Sequence, residues 1–119
     1  MKELKFNLKL EEAPVEITDV NGTNHTYKLR ALNGAERDSF LNIMSGRMKY
    51  NDLGKMQGLK DYTDLHASLL SRCLYTDEEK LVTISELRLF PATVLAGLFD
   101  AAQELSGLDK EAKKAAKND

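Results

Sequence analysis

Two histidines, one cysteine and several adjacent acid pairs are the residues of this chain whose types suit acid–base, nucleophilic or metal chemistry. His25 and His66 lie far apart, and neither has a second ligand at metal-binding spacing. His25 falls on the apolar face of a strand pattern and His66 borders the apolar stripe of a helix pattern, which predicts packed or capped imidazoles. Cys73 stands among leucines at helical spacing with nothing nearby to lower its pKa, the setting of a buried, inert thiol. As the only cysteine it excludes an internal disulfide and a multi-cysteine metal site. Glu11-Glu12 and Glu78-Glu79 flank turn sequences and read as solvated faces. The glycines of "SGR" and "AGLFD" do not make a phosphate-cradling loop. The expectation is a non-enzyme with no catalytic residue, metal, cofactor or small-molecule substrate.

The stretch from Gly46 to Lys60 has a different character. Arg47, Lys49, Lys55 and Lys60 stand there against one acid, Asp52, with Met48, Tyr50, Leu53, Met56 and Leu59 interleaved and Met44 just before. Methionine is unbranched and polarisable, so a segment rich in it repacks against varied apolar partners. Met44, Met48, Tyr50, Leu53 and Met56 are therefore the candidate partner-binding residues. The alternative is a connection between helices whose apolar residues dip into the core. Nucleic-acid binding by the basic residues has less support, with one aromatic and no recognised motif.

These residues must be positioned by a small fold. The chain has 119 residues, 42% hydrophobic and 30% charged, which suits one globular domain. Its net charge of −2 provides no global field for gripping nucleic acid or an anionic membrane. The opening MKELKFNLKL alternates instead of forming an apolar block, so it does not read as a signal peptide, and no apolar run is long enough for a membrane span.

The first third reads as strands. Leu4, Phe6, Leu8 and Leu10 alternate with Lys5, Asn7 and Lys9, and Pro14 breaks that run. Two extended runs then flank Asp19-Val20-Asn21-Gly22, a type I turn with Gly22 as the left-handed bulge residue. That turn sets Ile17 opposite His25 and Val15 opposite Tyr27, and gathers Val15, Ile17, His25, Tyr27 and Leu29 on one face.

From Asn33 the period becomes helical. Asn33 and Glu36 have capping-box spacing ahead of Phe40, Leu41, Met44 and Met48. Gly46, Gly54 and Gly58 predict a loop or broken helix. A second helix is expected from about Asp61 or Thr63, with Tyr62, Leu65, Leu69 and Cys73 recurring. Thr76–Lys80 is a polar turn, and Thr83 and Glu86 form a second capping box before a short segment to Phe90. Pro91 suits a first helical position, and Val94, Leu95, Leu98, Phe99, Ala102 and Leu105 make a broad stripe ended by Gly107-Leu108. The reading is an α+β fold: an N-terminal antiparallel sheet, three or more helices, one domain over 1–108 and a solvated tail over 109–119.

"TYKLRALNGAERDSFLNIM" resembles the passage from hairpin to first helix in the tail assembly chaperones of long-tailed bacteriophages. "SRCLYTDEEKLVTISELRLFPATVLAGLFDAAQELSGLD" is similar to their second half. The likeness is one of pattern and order, from about Lys28 to the end. It implies a non-enzymatic protein of the bacterial host's cytoplasm that binds the tape-measure protein and assists assembly of the tail-tube protein around it. It supplies no catalytic residues. It also implies a −1 frameshift near the gene's end, for which Lys113-Lys114 is the candidate site. The rival readings are a structural minor tail or head–tail joining protein, and a small nucleic-acid-binding regulator.

Overall fold

The computed structural model describes residues 3–108. The fold is α+β, an N-terminal antiparallel sheet followed by helices. Strands β1 (Glu12–Thr18) and β2 (Asn24–Arg30) form a hairpin, and β5 (Leu74–Thr76) adds to the far side of β2, in the order β1-β2-β5. The register is the one that the turn residues predict, with Val15 opposite Tyr27 and Ile17 opposite His25. Gly22 adopts φ 83, and Asp19 Oδ1 accepts the N–H groups of Asn21 and Thr23 at 2.9 Å each. Pro14 lies inside β1 instead of ending a strand before it. It is tolerated because β1 is an edge strand, where a missing N–H breaks no ladder bond.

The expected strand over Leu4–Leu10 is not formed. Leu4, Phe6 and Leu8 are 76%, 87% and 97% exposed. Alternation marks a segment able to bury one face, and no described strand pairs with it to receive that face.

Helix α1 (Gly34–Arg47) starts at the predicted capping box, with Asn33 Oδ1 accepting from Glu36 N–H at 2.8 Å and Glu36 Oε1 accepting from Asn33 N–H at 2.9 Å. It continues through Gly46, which therefore is not a breaker. The predicted loop that follows is a second hairpin, β3 (Met48–Tyr50) with β4 (Met56–Leu59), so Met48 belongs to a strand and not to the helix stripe. Its turn repeats the first: Asn51 Oδ1 accepts from Leu53 and Lys55 N–H, and Gly54 takes φ 80.

Helix α2 (Leu65–Leu70) is shorter than predicted. Tyr62 precedes it, and Cys73 follows it where the chain enters β5. Asp64, at φ 53, opens α2 and is gripped by Arg88, Nε to Oδ1 at 2.9 Å and Nη2 to Oδ2 at 2.6 Å. Helix α3 (Ile84–Leu87) carries half of the second capping box: Thr83 Oγ1 accepts from Glu86 N–H, while Glu86 Oε1 accepts the Thr83 hydroxyl instead of its N–H. Helix α4 (Ala92–Ser106) begins one residue after Pro91, which sits at the cap in extended conformation, and stops at Gly107, φ 76.

The core lies between the sheet and helices α1, α2 and α4. Leu29, Leu69, Leu70, Leu74, Val82 and Leu87 are essentially inaccessible, and Phe40, Leu98, Ala102 and Leu108 close around them. Phe40 and Phe99 meet edge to face with centroids 6.3 Å apart. Ser106 Oγ accepts from Leu32 N–H at 3.0 Å, tying the end of α4 to the link between β2 and α1. The predicted tail over 109–119 lies outside the described residues. No described helix is long and apolar enough to cross a membrane.

Candidate functional site

The β3–β4 hairpin carries most of the candidate binding residues. Its strands pack chiefly on each other, so it projects from the body. Its base is held by Lys60 N–H donating to Arg47 O at 2.7 Å and Arg47 Nη1 donating to Thr63 O at 2.6 Å. Asp61 Oδ1 accepts from Thr63 N–H at 2.8 Å, and this bond holds its carboxyl below the usual range. The arms are thus rooted by backbone bonds, and their outer side chains are left to solvent.

Tyr50 and Met56 face each other across the strands, and Leu53 stands at the turn. They are 52%, 59% and 83% exposed. Tyr50 Oη lies 3.2 Å from Met48 Sδ, and Met48 is half-buried. Met44 is separated from this group, since it packs from α1 onto the core. Four of the five predicted residues therefore share one projecting element and the fifth does not. Tyr62, 65% exposed, was assigned by its spacing to the α2 stripe, yet its hydroxyl reaches the hairpin near Gly58. Its position just before Thr63-Asp64, where α2 begins, is the signal that could have set it apart.

The exposed apolar residues of this element are interspersed in sequence with Lys49, Lys55 and Lys60, which are exposed as well. An exposed cluster of this kind offers area to an apolar partner face, with methionine and tyrosine able to adapt to its shape.

No family model matches this chain, and neither do curated proteins or solved structures.

The residues that suit chemistry are engaged elsewhere. His25 Nε2 lies 2.9 Å from Asp19 Oδ2, an interaction that holds Asp19 below the usual carboxylate range and braces the first turn. The His66 ring packs on Phe99 with centroids 4.7 Å apart. Cys73 is 1% exposed with its sulfur 3.4 Å from Leu69 O, and burial pushes its thiol pKa up to about 12. Glu12 and Glu79, read from sequence as solvated acids, flank Lys28 and Arg30 across the sheet: Arg30 Nη2 lies 2.8 Å from Glu12 and 2.9 Å from Glu79, and Lys28 Nζ lies 2.6 Å from Glu79. The Arg30 guanidinium also covers the Tyr75 ring at 4.3 Å. This network spans all three strands of the sheet. Its partners are distant in sequence, so spacing carried no sign of it. Among the described residues no cluster of three or more His, Cys, Asp or Glu is placed to hold a metal ion.

Proposed function

We propose that this protein is a non-enzymatic assembly chaperone of a long-tailed bacteriophage or prophage, which binds the tape-measure protein through the β3–β4 hairpin and keeps it available for tail-tube assembly. The observation that carries the reading is the exposed apolar set Tyr50, Leu53 and Met56 on the β3–β4 hairpin, with exposed Tyr62 beside it. A tape measure before assembly is a long helix with an unburied apolar face. Such a helix needs an adaptable apolar surface more than a deep cavity. The likeness of pattern and order to tail assembly chaperones supports the same partner.

The test is co-expression with the tape-measure protein encoded beside it. The chaperone reading expects the tape measure to move into the soluble fraction and to co-purify with this chain. Leu53→Ser with Met56→Ser should abolish both effects while changing folding stability by less than about 0.5 kcal/mol, since both residues lie outside the core. Mature virions should lack the chain. Its presence there in stoichiometric amount would assign it to the structural proteins of the tail or head–tail joint instead.

A further inference from the structure

We propose that residues 4–9 of one copy of this chain add as an antiparallel strand to the open edge of β1 in a second copy, reciprocated about a two-fold axis. The inference does not depend on the proposed partner, because none of its residues lies in the β3–β4 hairpin.

Leu4, Phe6 and Leu8 are three large apolar residues at strand spacing, separated by Lys5 and Asn7, and all three are exposed. A period of two with one apolar face is the pattern of a strand packed on one side. A row of bare apolar side chains of this length marks a surface that another chain covers.

The edge that could receive it is equally specific. Ala31 N–H donates to Glu11 O and Asp19 N–H donates to Thr23 O, so the odd-numbered residues of β1 bond toward β2. The backbone groups of Glu12, Pro14, Glu16 and Thr18 therefore point outward. The opposite edge of the sheet is closed, since Val82 N–H donates to Leu74 O and Thr76 N–H donates to Lys80 O. Among the described residues, β1 is the open side.

One antiparallel register satisfies both patterns. It sets Lys5 of the incoming copy opposite Glu16, Asn7 opposite Pro14 and Lys9 opposite Glu12. Leu4, Phe6 and Leu8 then stand beside Ile17, Val15 and Ala13, which form the half-buried apolar face of β1. Lys5 and Lys9 have the same spacing as Glu12 and Glu16, so both ammonium groups meet carboxylates. Among the described residues Glu16 forms no ion pair, whereas Glu12 already serves Arg30 and Lys28. A slide of two residues sets a lysine against Pro14, and a slide of one turns the apolar row to the wrong face. Pro14 costs one rung of the ladder and so discourages pairing with indiscriminate strands.

The same register is not closed within this chain, and the local sequence disfavours closing it. It would require a two-residue turn at Leu10-Glu11, and the favoured turns of that length take positive φ, which neither leucine nor glutamate readily adopts. Neither residue has it, the non-glycine residues with positive φ being Asp64 and Glu79. A strand joined by a hinge too short to fold back exchanges with its neighbour.

Sedimentation velocity of the full chain over a concentration series should show a reversible monomer–dimer equilibrium. Phe6→Asp should weaken dimerisation by at least about tenfold while the chain keeps its cooperative urea unfolding. Lys5→Glu alone and Glu16→Lys alone should each weaken it, and the two together in one chain should restore it. These are surface positions, so the outcome does not turn on folding. A chain that stays monomeric throughout, a dimer indifferent to Phe6→Asp, or a double charge exchange that fails to restore association would overturn the proposal. Binding of a different protein through residues 4–9 by a monomeric chain would overturn it as well.

Discussion

Arg30 donates from Nη2 to Glu79 Oε2 across 2.9 Å, and so ties the middle strand of the sheet to a turn whose backbone is left-handed. Glu79 has φ 63, a conformation that disfavours any residue with a Cβ. This turn repeats the design of the other two: Thr76 Oγ1 accepts from Glu78 and Lys80 N–H as Asp19 and Asn51 accept in theirs. In those turns Gly22 and Gly54 occupy the left-handed position. At the third, two ion pairs hold a glutamate there.

Glu79→Gly and Glu79→Ala both remove those ion pairs, but only glycine accepts the backbone without strain. The alanine variant should therefore unfold at the lower denaturant concentration. Equal midpoints would show that the turn relaxes once the charges are gone. The Lys28 and Arg30 contacts also hold the Glu79 carboxyl below its usual range, Lys28 being the larger cause. A depressed folded-state pKa contributes stability that is complete above about pH 4.3 and is lost as pH falls through the folded value. Urea midpoints should thus fall on acidification below that point, and less steeply in Glu79→Gln.

Gly22, in the turn between β1 and β2, and Gly46, inside α1, should respond to alanine in opposite directions. At Gly22 an added Cβ meets nothing within 4 Å, but φ is 83, so Gly22→Ala should cost about 1–2 kcal/mol from backbone strain alone. Gly46 is helical and equally uncrowded, so Gly46→Ala should stabilise by about 0.4–1 kcal/mol. Chemical denaturation of both variants measures the contrast.

Leu98 sits mid-stripe in α4 and is 8% exposed. Leu98→Ala should cost about 2–5 kcal/mol, the loss of transfer energy plus the cavity. A change below about 1 kcal/mol in urea unfolding would mean that the helix repacks around the gap.

Cys73 should react with an aromatic disulfide reagent only as the protein opens. Its thiol is buried and its pKa is raised to about 12, so the thiolate is scarce and inaccessible at neutral pH. The labelling rate should rise with denaturant in step with unfolding. Rapid labelling of the native chain in water would place Cys73 at the surface.

The features legible from the residues alone are those decided within a few positions. Asp19 and Gly22 set the first hairpin's register because the side-chain cap and the positive φ are local. Asn33 and Glu36 start α1, and Gly107 ends α4, for the same reason. The period-two to helical switch at Asn33 was enough for the α+β class. By that logic the Asn51–Lys55 turn was also readable, since its residues repeat the first turn's chemistry. Glycines also end helices, so Gly46, Gly54 and Gly58 by themselves do not separate a loop from a second hairpin.

Tertiary structure alone decided what depends on a distant neighbour. β5 is three residues long, too short to show a period, and exists because β2 offers it an edge. Leu4–Leu10 has the better strand pattern and is not a strand, because no described strand pairs with it. Leu53 and Leu69 are the same residue type, 83% and 0% exposed. Hydrophobicity sets what burial is worth, but only the packing of the remaining elements determines which leucine is buried and which is exposed.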